Sequence, residues 1–230
     1  MRFGFKFVCA AFLAFAAVFD VAAQRNALID GQTIDFKLDF YEAPNLPITG
    51  GVSVPSVSAK WLVAIITYTP ALVYDNSPNR GGKRKVRWLD DLTVELSLIL
   101  PGAANYGSNI LLSGKQVLWS VPCDGKRHRV LFAVPPLVFE RYSSLEKFTK
   151  TVAGQIPAYV EFKSRNQEVL ARYVYARGNG ERIYQIFQRL FNAQVGVFKL
   201  PTAVLPKEKT PWSLVETGAF DLPKSIVEGK

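Results

Sequence analysis

The 230-residue chain has one histidine, His128, and two cysteines, Cys9 and Cys123. Each scarcity excludes something. A Ser-His-Asp hydrolase would have one possible base and no second choice, so hydrolytic triads find almost no support. Cys123 is the only cysteine beyond the first ten residues. If the N-terminal segment is removed on export, no internal disulfide can form, and the fold must be held by its core. One Cys and one His are too few ligands for zinc without carboxylate help. No second apolar run after the N-terminus is long enough to span a bilayer as a helix. Internal repeats and low-complexity tracts are absent. "GNG" at 178–180 lacks the strand–glycine loop–helix context of a nucleotide site, and "GKQ" and "GKR" are not a P-loop.

The N-terminus does carry a pattern. "MRFGFKFVCAAFLAFAAVFDVAAQ" has basic Arg2 and Lys6, then an apolar stretch from Phe7 to Phe19, then small residues at Ala22 and Ala23. This reads as a cleavable secretory signal over 1–23, with the mature chain starting near Gln24. A lipoprotein signal would need its Cys after the apolar stretch, and Cys9 lies at its start. A prepilin signal would want Glu where Cys9 stands. The whole chain has 28 basic and 19 acidic residues; beyond residue 23 these become 26 and 18, a net charge of +8. An exported basic protein points to anionic partners such as lipid headgroups, acidic polysaccharide or an acidic protein face, rather than nucleic acid.

Period-two alternation dominates the remainder. In "TIDFKLDFYE", Ile34, Phe36, Leu38 and Phe40 face one way, and Asp35, Lys37 and Asp39 the other. "AKWLVAIITYT" is nearly all apolar and reads as a central strand. "DLTVELSLIL" alternates through Leu92, Val94, Leu96, Leu98 and Leu100. Short strands are expected at 109–112 and 116–121, with another in "RVLFAV". "PPLVFERY" suits one or two helical turns. "QIPAYVEFKS" and "QEVLARYVYA" form a hairpin across "SRNQ". "ERIYQIFQRLFNAQ" places Ile183, Ile186, Phe187, Leu190 and Phe191 on one helical face. "NLPITGGVSVPSVS" reads as a long connection and "SPNRGGKRK" as a polar loop.

About eight closely spaced strands with few helices predict a mainly β fold, an antiparallel β-sandwich with one or two short peripheral helices capping its ends or covering an edge. A partly open barrel is the alternative. The expected organisation is a signal over 1–23, a sandwich domain over 24–200, and a Pro-rich tail over 201–230 packing on or extending from it.

"VPCDGKRHRV", 121–130, concentrates the chemistry-bearing residues. Asp124-Gly125 is a favoured two-residue hairpin turn. That register places Val121 opposite His128 and Trp119 opposite Val130, with Cys123 and His128 as diagonal neighbours. A Cys–His nucleophile still lacks an orienting group and an oxyanion site, so the favoured reading is a basic hairpin tip. The candidate anion- or partner-binding residues are Arg80, Lys83, Arg84, Lys85 and Arg87 in one loop, with Trp88 beside them, and Lys126, Arg127 and Arg129 in the other. They form one patch if both loops lie at the same end of the sandwich, and two solvated charged loops otherwise. Asp90 and Asp91 are adjacent, so on a regular strand they point to opposite faces. Tyr173 and Tyr175 share a strand face, as core residues or as a sugar-stacking pair.

The order of features resembles a known family. It is carried by the signal segment, the strand "TIDFKLDF", the block "ELSLILPGAANYGSNILLSGKQVLWSVPCDGKRHRVLFAVPPLVFERY" and the tail "KTPWSLVETGAFDLP". These are similar to small secreted pilus-like proteins of gut bacteria, encoded beside type IV pilus-like genes. The resemblance implies an immunoglobulin-like sandwich and a role in pilus assembly or the cell envelope, with no enzymatic activity. It implies a protein partner and supplies no site residues; the residue inventory separately gives no expectation of a cofactor or metal. The chain departs from a pilin in lacking a prepilin signal. The expected location is the periplasm, the outer-membrane surface or the extracellular space. The alternatives are a secreted module binding carbohydrate or anionic lipid and, behind it, a hydrolase.

Overall fold

The computed structural model describes residues 28–43, 60–75, 85–107, 109–193 and 197–214. The expected signal (1–23), the Pro/Gly-rich connection and most of the basic loop lie outside these residues.

Strand β1 (Asp35–Glu42) folds as its alternation dictates: Phe36 and Leu38 are buried, Asp35 and Lys37 exposed. β2 (Lys60–Tyr68) pairs antiparallel with β1 and with β5 (His128–Val134), and it is apolar on both faces because Leu62, Ala64 and Ile66 enter the core while Trp61, Val63 and Ile65 pack outside with Leu131, Ala133 and Trp212. β3 (Trp88–Pro101) and β4 (Asn109–Pro122) are 14 residues each and pair along their whole length. β6 (Ala158–Lys163) pairs with β3 on its other side, and β7 (Val169–Tyr175) with β6. The two sheets run β1-β2-β5-β9 and β7-β6-β3-β4-β8. Their bodies match the immunoglobulin arrangement, with β1-β2-β5 as strands A-B-E and β7-β6-β3-β4 as G-F-C with a fourth strand added. Leu92, Val94, Leu96, Leu98 and Leu100 of β3 share one buried core with Phe36, Ile66, Tyr68 and Phe132 of the opposite sheet.

Helices α1 (Pro136–Tyr142) and α2 (Lys150–Ala153) occupy the connection from β5 to β6. Helix α3 (Gly180–Asn192) is capped by Asn179, whose side chain accepts the Glu181 and Arg182 backbone N–H groups. Its apolar stripe does not cap an end or an edge. It lies over the outer face of the five-stranded sheet, where Ile183, Ile186, Leu190 and Phe191 join Phe187 against Ile99, Leu111, Tyr159 and Val174. The apolar outward positions on four neighbouring strands attract the helix to the face.

The segment after α3 crosses from one sheet to the other. β8 (Phe198–Pro201) runs parallel to β4, the single parallel pair among the described residues, and β9 (Leu205–Pro206) runs antiparallel to β5. Between them Val204 enters the core at 1% exposure. Gly114 of β4 makes this possible, because a Cβ there would stand 1.8 Å from the Val204 carbonyl oxygen. Lys199 donates from Nζ to the Phe191 and Ala193 carbonyls at 2.8 and 2.7 Å, closing the C-terminal end of α3. Trp212 then packs edge-on against Trp61, 5.6 Å between ring centres, on the outer face of the four-stranded sheet.

Three local expectations are corrected. β4 and β5 are not a hairpin: they belong to different sheets, and Asp124-Gly125 turns the chain across the sandwich. The turn chemistry is as expected, since Asp124 accepts the Lys126 N–H at 2.9 Å and Gly125 has φ +71°. Turn residues set the local reversal; they do not choose the ladder partners, which are β3 and β8 for β4 and β2 and β9 for β5. The strands expected at 109–112 and 116–121 are one strand, because Gly114 is a packing gap and not a break. Asp90 and Asp91 do not take opposite faces. Asp91 has φ +53°, and Leu89 and Leu92 on either side both enter the core, so neither aspartate faces inward.

Candidate functional site

Three segments meet where β4 ends and β5 begins. Val73 N–H donates to the Cys123 carbonyl at 3.0 Å, Cys123 N–H to the Arg87 carbonyl at 2.8 Å, and Arg87 N–H to the Val73 carbonyl at 2.8 Å. This closed ring of backbone bonds fixes the three chains side by side. Asp75 N–H bonds the Lys85 carbonyl at 2.8 Å, extending the contact outward.

The ring brings the described cations of both basic stretches to the same end. Lys85 and Arg87 stand on one segment, Lys126 and Arg127 on the turn, and Arg129 opposite Thr67 on the outer face of β5; all five are exposed. Arg80, Lys83 and Arg84 lie outside the described residues. Among the described residues Lys126 reaches Asp124 at 3.9 Å, while Lys85, Arg87, Arg127 and Arg129 form no ion pair. The acids here among the described residues are Asp75, Asp90, Asp91 and Asp124, and Asp91 pairs with Arg165 at 3.5 Å. Asp90 accepts the Ser120 hydroxyl at 2.6 Å. Asp124 lies 3.2 Å from His128 Nε2. Slight burial opposes its ionisation, but the Lys126 N–H and His128 outweigh that and hold its carboxyl below the usual range.

Apolar side chains are exposed at the same end: Leu72 at 53%, Tyr74 at 43%, Trp88 at 55% and Trp119 at 44%. They are four of the seven large apolar residues exposed among those described, so this is where unburied apolar surface concentrates. Sequence reasoning placed Trp88 beside the basic loop but missed Leu72 and Tyr74, whose position depends on the backbone ring.

Cys123 is no nucleophile. It is fully buried in the main core. Burial pushes its thiol up, against the opposing charge of Arg87, so it stays protonated. His128 turns to Asp124 and to Tyr68, 5.8 Å between ring centres. Among the described residues no three His, Cys, Asp or Glu side chains group as metal ligands. Tyr173 and Tyr175 pack against Phe36 in the core and form no sugar platform.

A second polar arrangement, unread in the sequence, crosses the outer face of the five-stranded sheet beside α3. Glu95 and Glu161 are direct cross-strand partners. Lys163 Nζ bridges them at 2.7 and 3.0 Å, and Arg172 Nε meets Glu161 at 2.9 Å. The Tyr159 hydroxyl also donates to Glu161 at 2.9 Å. Burial disfavours the Glu161 anion, yet Arg172, Lys163 and Tyr159 together hold its carboxyl below the usual range. A glycosidic acid needs the opposite, a carboxyl raised enough to keep its proton. The ladder is a structural use of charge. Its only sequence signal is that its members occupy outward alternate positions on β3, β6 and β7.

These elements define a class: a mainly β protein built as an immunoglobulin-like sandwich, carrying a basic and aromatic loop end. No family model and no curated protein matches the chain. A crystal structure of a protein from Akkermansia muciniphila does, with 17% identity and a TM-score of 0.55, covering 83% of this chain and 92% of that one. At that identity the likeness shows the shared fold. Among the described residues no helix is long and apolar enough to cross a membrane.

Proposed function

We propose that the chain is an exported, non-enzymatic structural and interaction protein of a pilus-like or cell-envelope assembly, directed by the segment 1–23. The observation that carries this reading is the asymmetry of the sandwich edges. On one side the chain supplies its own closing strands, β8 and β9. On the other side β1, eight residues long, and β7, seven residues long, end their sheets with no strand paired outside them among the described residues. Phe36 of β1 touches Tyr173 and Tyr175 of β7, so both edges flank one side of the core. The Gly31–Thr33 turn lies against β7 at Arg172, whose carbonyl oxygen would stand 3.2 Å from a Cβ on Gly31; the rest of both edges offers ladder groups to a strand from a partner. The fold, shared with a protein from a bacterium, and the resemblance to secreted pilus-like proteins support the same reading.

The test is photo-crosslinking from Lys37 in β1 and Arg172 in β7 in the exported chain, with Lys115 in β4 as control. Repeated capture of one envelope or pilus-like subunit at both edge positions and not at Lys115 is expected. Equal capture at all three, or none, refutes edge pairing. A second reading, attachment to an anionic glycan or lipid, is favoured by the unpaired cations and exposed aromatics of the loop end. Nucleic acid is not among the proposed partners.

A further inference from the structure

We infer that the loop end seats the protein on an anionic lipid bilayer, an inference that rests on the second reading above and commits it to one surface. Lys85, Arg87 and Arg127 are exposed and without ion pairs among the described residues. Leu72, Tyr74 and Trp88 are exposed beside them. The backbone ring through Val73, Arg87 and Cys123 holds both sets on one framework, so little order has to be created on binding.

The mixture selects the occupant. An acidic polysaccharide is bound through aromatic faces and fixed hydrogen-bonding groups. Leu72 offers neither, yet it stands half in water on the segment packed against the turn, its Cβ 3.4 Å from where a side chain on Gly125 would begin. A bilayer surface uses every member. Leu72 and Trp88 enter the boundary between headgroups and acyl chains, while Lys85, Arg87 and Arg127 lay their stems along it and reach the phosphates. The positive charge supplies the preference for anionic lipid. Each Lys or Arg near such a surface strengthens attachment by about fivefold, and the attraction falls with salt.

The experiment uses the full chain without its signal, and vesicles of phosphatidylcholine alone or with roughly one-third phosphatidylglycerol. Cosedimentation with the anionic vesicles at low salt is expected, with little on neutral ones and loss at high salt. Arg87→Gln with Arg127→Gln weakens binding by roughly 25-fold, two charges at about fivefold each. Leu72→Ser with Trp88→Ser abolishes it while thermal unfolding stays unchanged, since both side chains are exposed. Tryptophan emission shifts to the blue on anionic vesicles, and Trp88→Phe removes most of that shift.

Binding to anionic vesicles that ignores Leu72→Ser with Trp88→Ser overturns the inference. So does equal, salt-sensitive binding to polygalacturonate in solution, which would keep the second reading but assign a glycan. Binding to neither probe overturns the inference and the second reading together, and leaves the edge-pairing assembly role to its own crosslinking test.

Discussion

Gly114→Ala is the sharpest test of how the sandwich is closed. The added methyl would lie 1.8 Å from the Val204 carbonyl oxygen and 2.8 Å from both its carbon and its Cβ. Those are backbone and near-backbone atoms, so no flexible side chain can swing away. Either β4 shifts, against its full-length pairing with β3, or the segment carrying Val204 lifts out. Lifting removes a buried valine, about 1.5–3 kcal/mol. It also breaks the Val204 N–H bond to the Ser113 carbonyl at 3.3 Å, about 1 kcal/mol. Together these predict a loss of roughly 3 kcal/mol. In urea titration the midpoint should fall by about 1.5 M at an m-value near 2 kcal/mol/M. Trypsin should also cut at Lys207 and Lys209 before global unfolding, because the lifted segment opens locally. A loss below about 1 kcal/mol together with an uncut tail would refute the close-packed crossing.

Three further outcomes follow from other sites. Lys199→Met removes the donor to the Phe191 and Ala193 carbonyls, costs about 0.5–1 kcal/mol, and speeds amide exchange at the end of α3 first. Cys123 should react with a thiol reagent only as fast as the protein unfolds, and Cys123→Ser should cost about 1–3 kcal/mol by burying a hydroxyl, detected by thermal unfolding. Glu161→Gln should cost about 1–2 kcal/mol at neutral pH, discounted because Arg172 is part-exposed. The folded-state Glu161 carboxyl is lowered, so its contribution is present above the ordinary carboxylate range and lost as pH falls through the folded value. The gap between wild type and variant should therefore close on acidification; a constant gap would show that the ion pairs contribute nothing.

Legibility in the sequence followed the distance over which each feature is decided. β1 was readable because Phe36 and Leu38 alternate with Asp35 and Lys37. α3 was readable because its apolar stripe repeats at helical spacing. The β6–β7 hairpin was readable because its partners are neighbours in the chain. The β4–β5 pairing was misread for the opposite reason: Asp124-Gly125 is an equally good turn whether the next strand returns to its own sheet or crosses to the other. Leu72 gave no signal as a surface residue, because a leucine beside Val73 looks like core until the backbone ring turns it outward.

What the sequence determined by itself is therefore the local alphabet: strands by period two, helices by period 3.6, turns by Asp, Asn and Gly, and the net positive charge. Tertiary structure alone decided the rest. It chose which strands share a sheet, placed Val204 over Gly114, stacked Glu95, Lys163, Glu161 and Arg172 across three strands, and gathered cations and exposed apolar side chains at one end. The physical reason is that backbone ladders and buried area are satisfied between residues far apart in the chain, where local propensity carries no information about the partner.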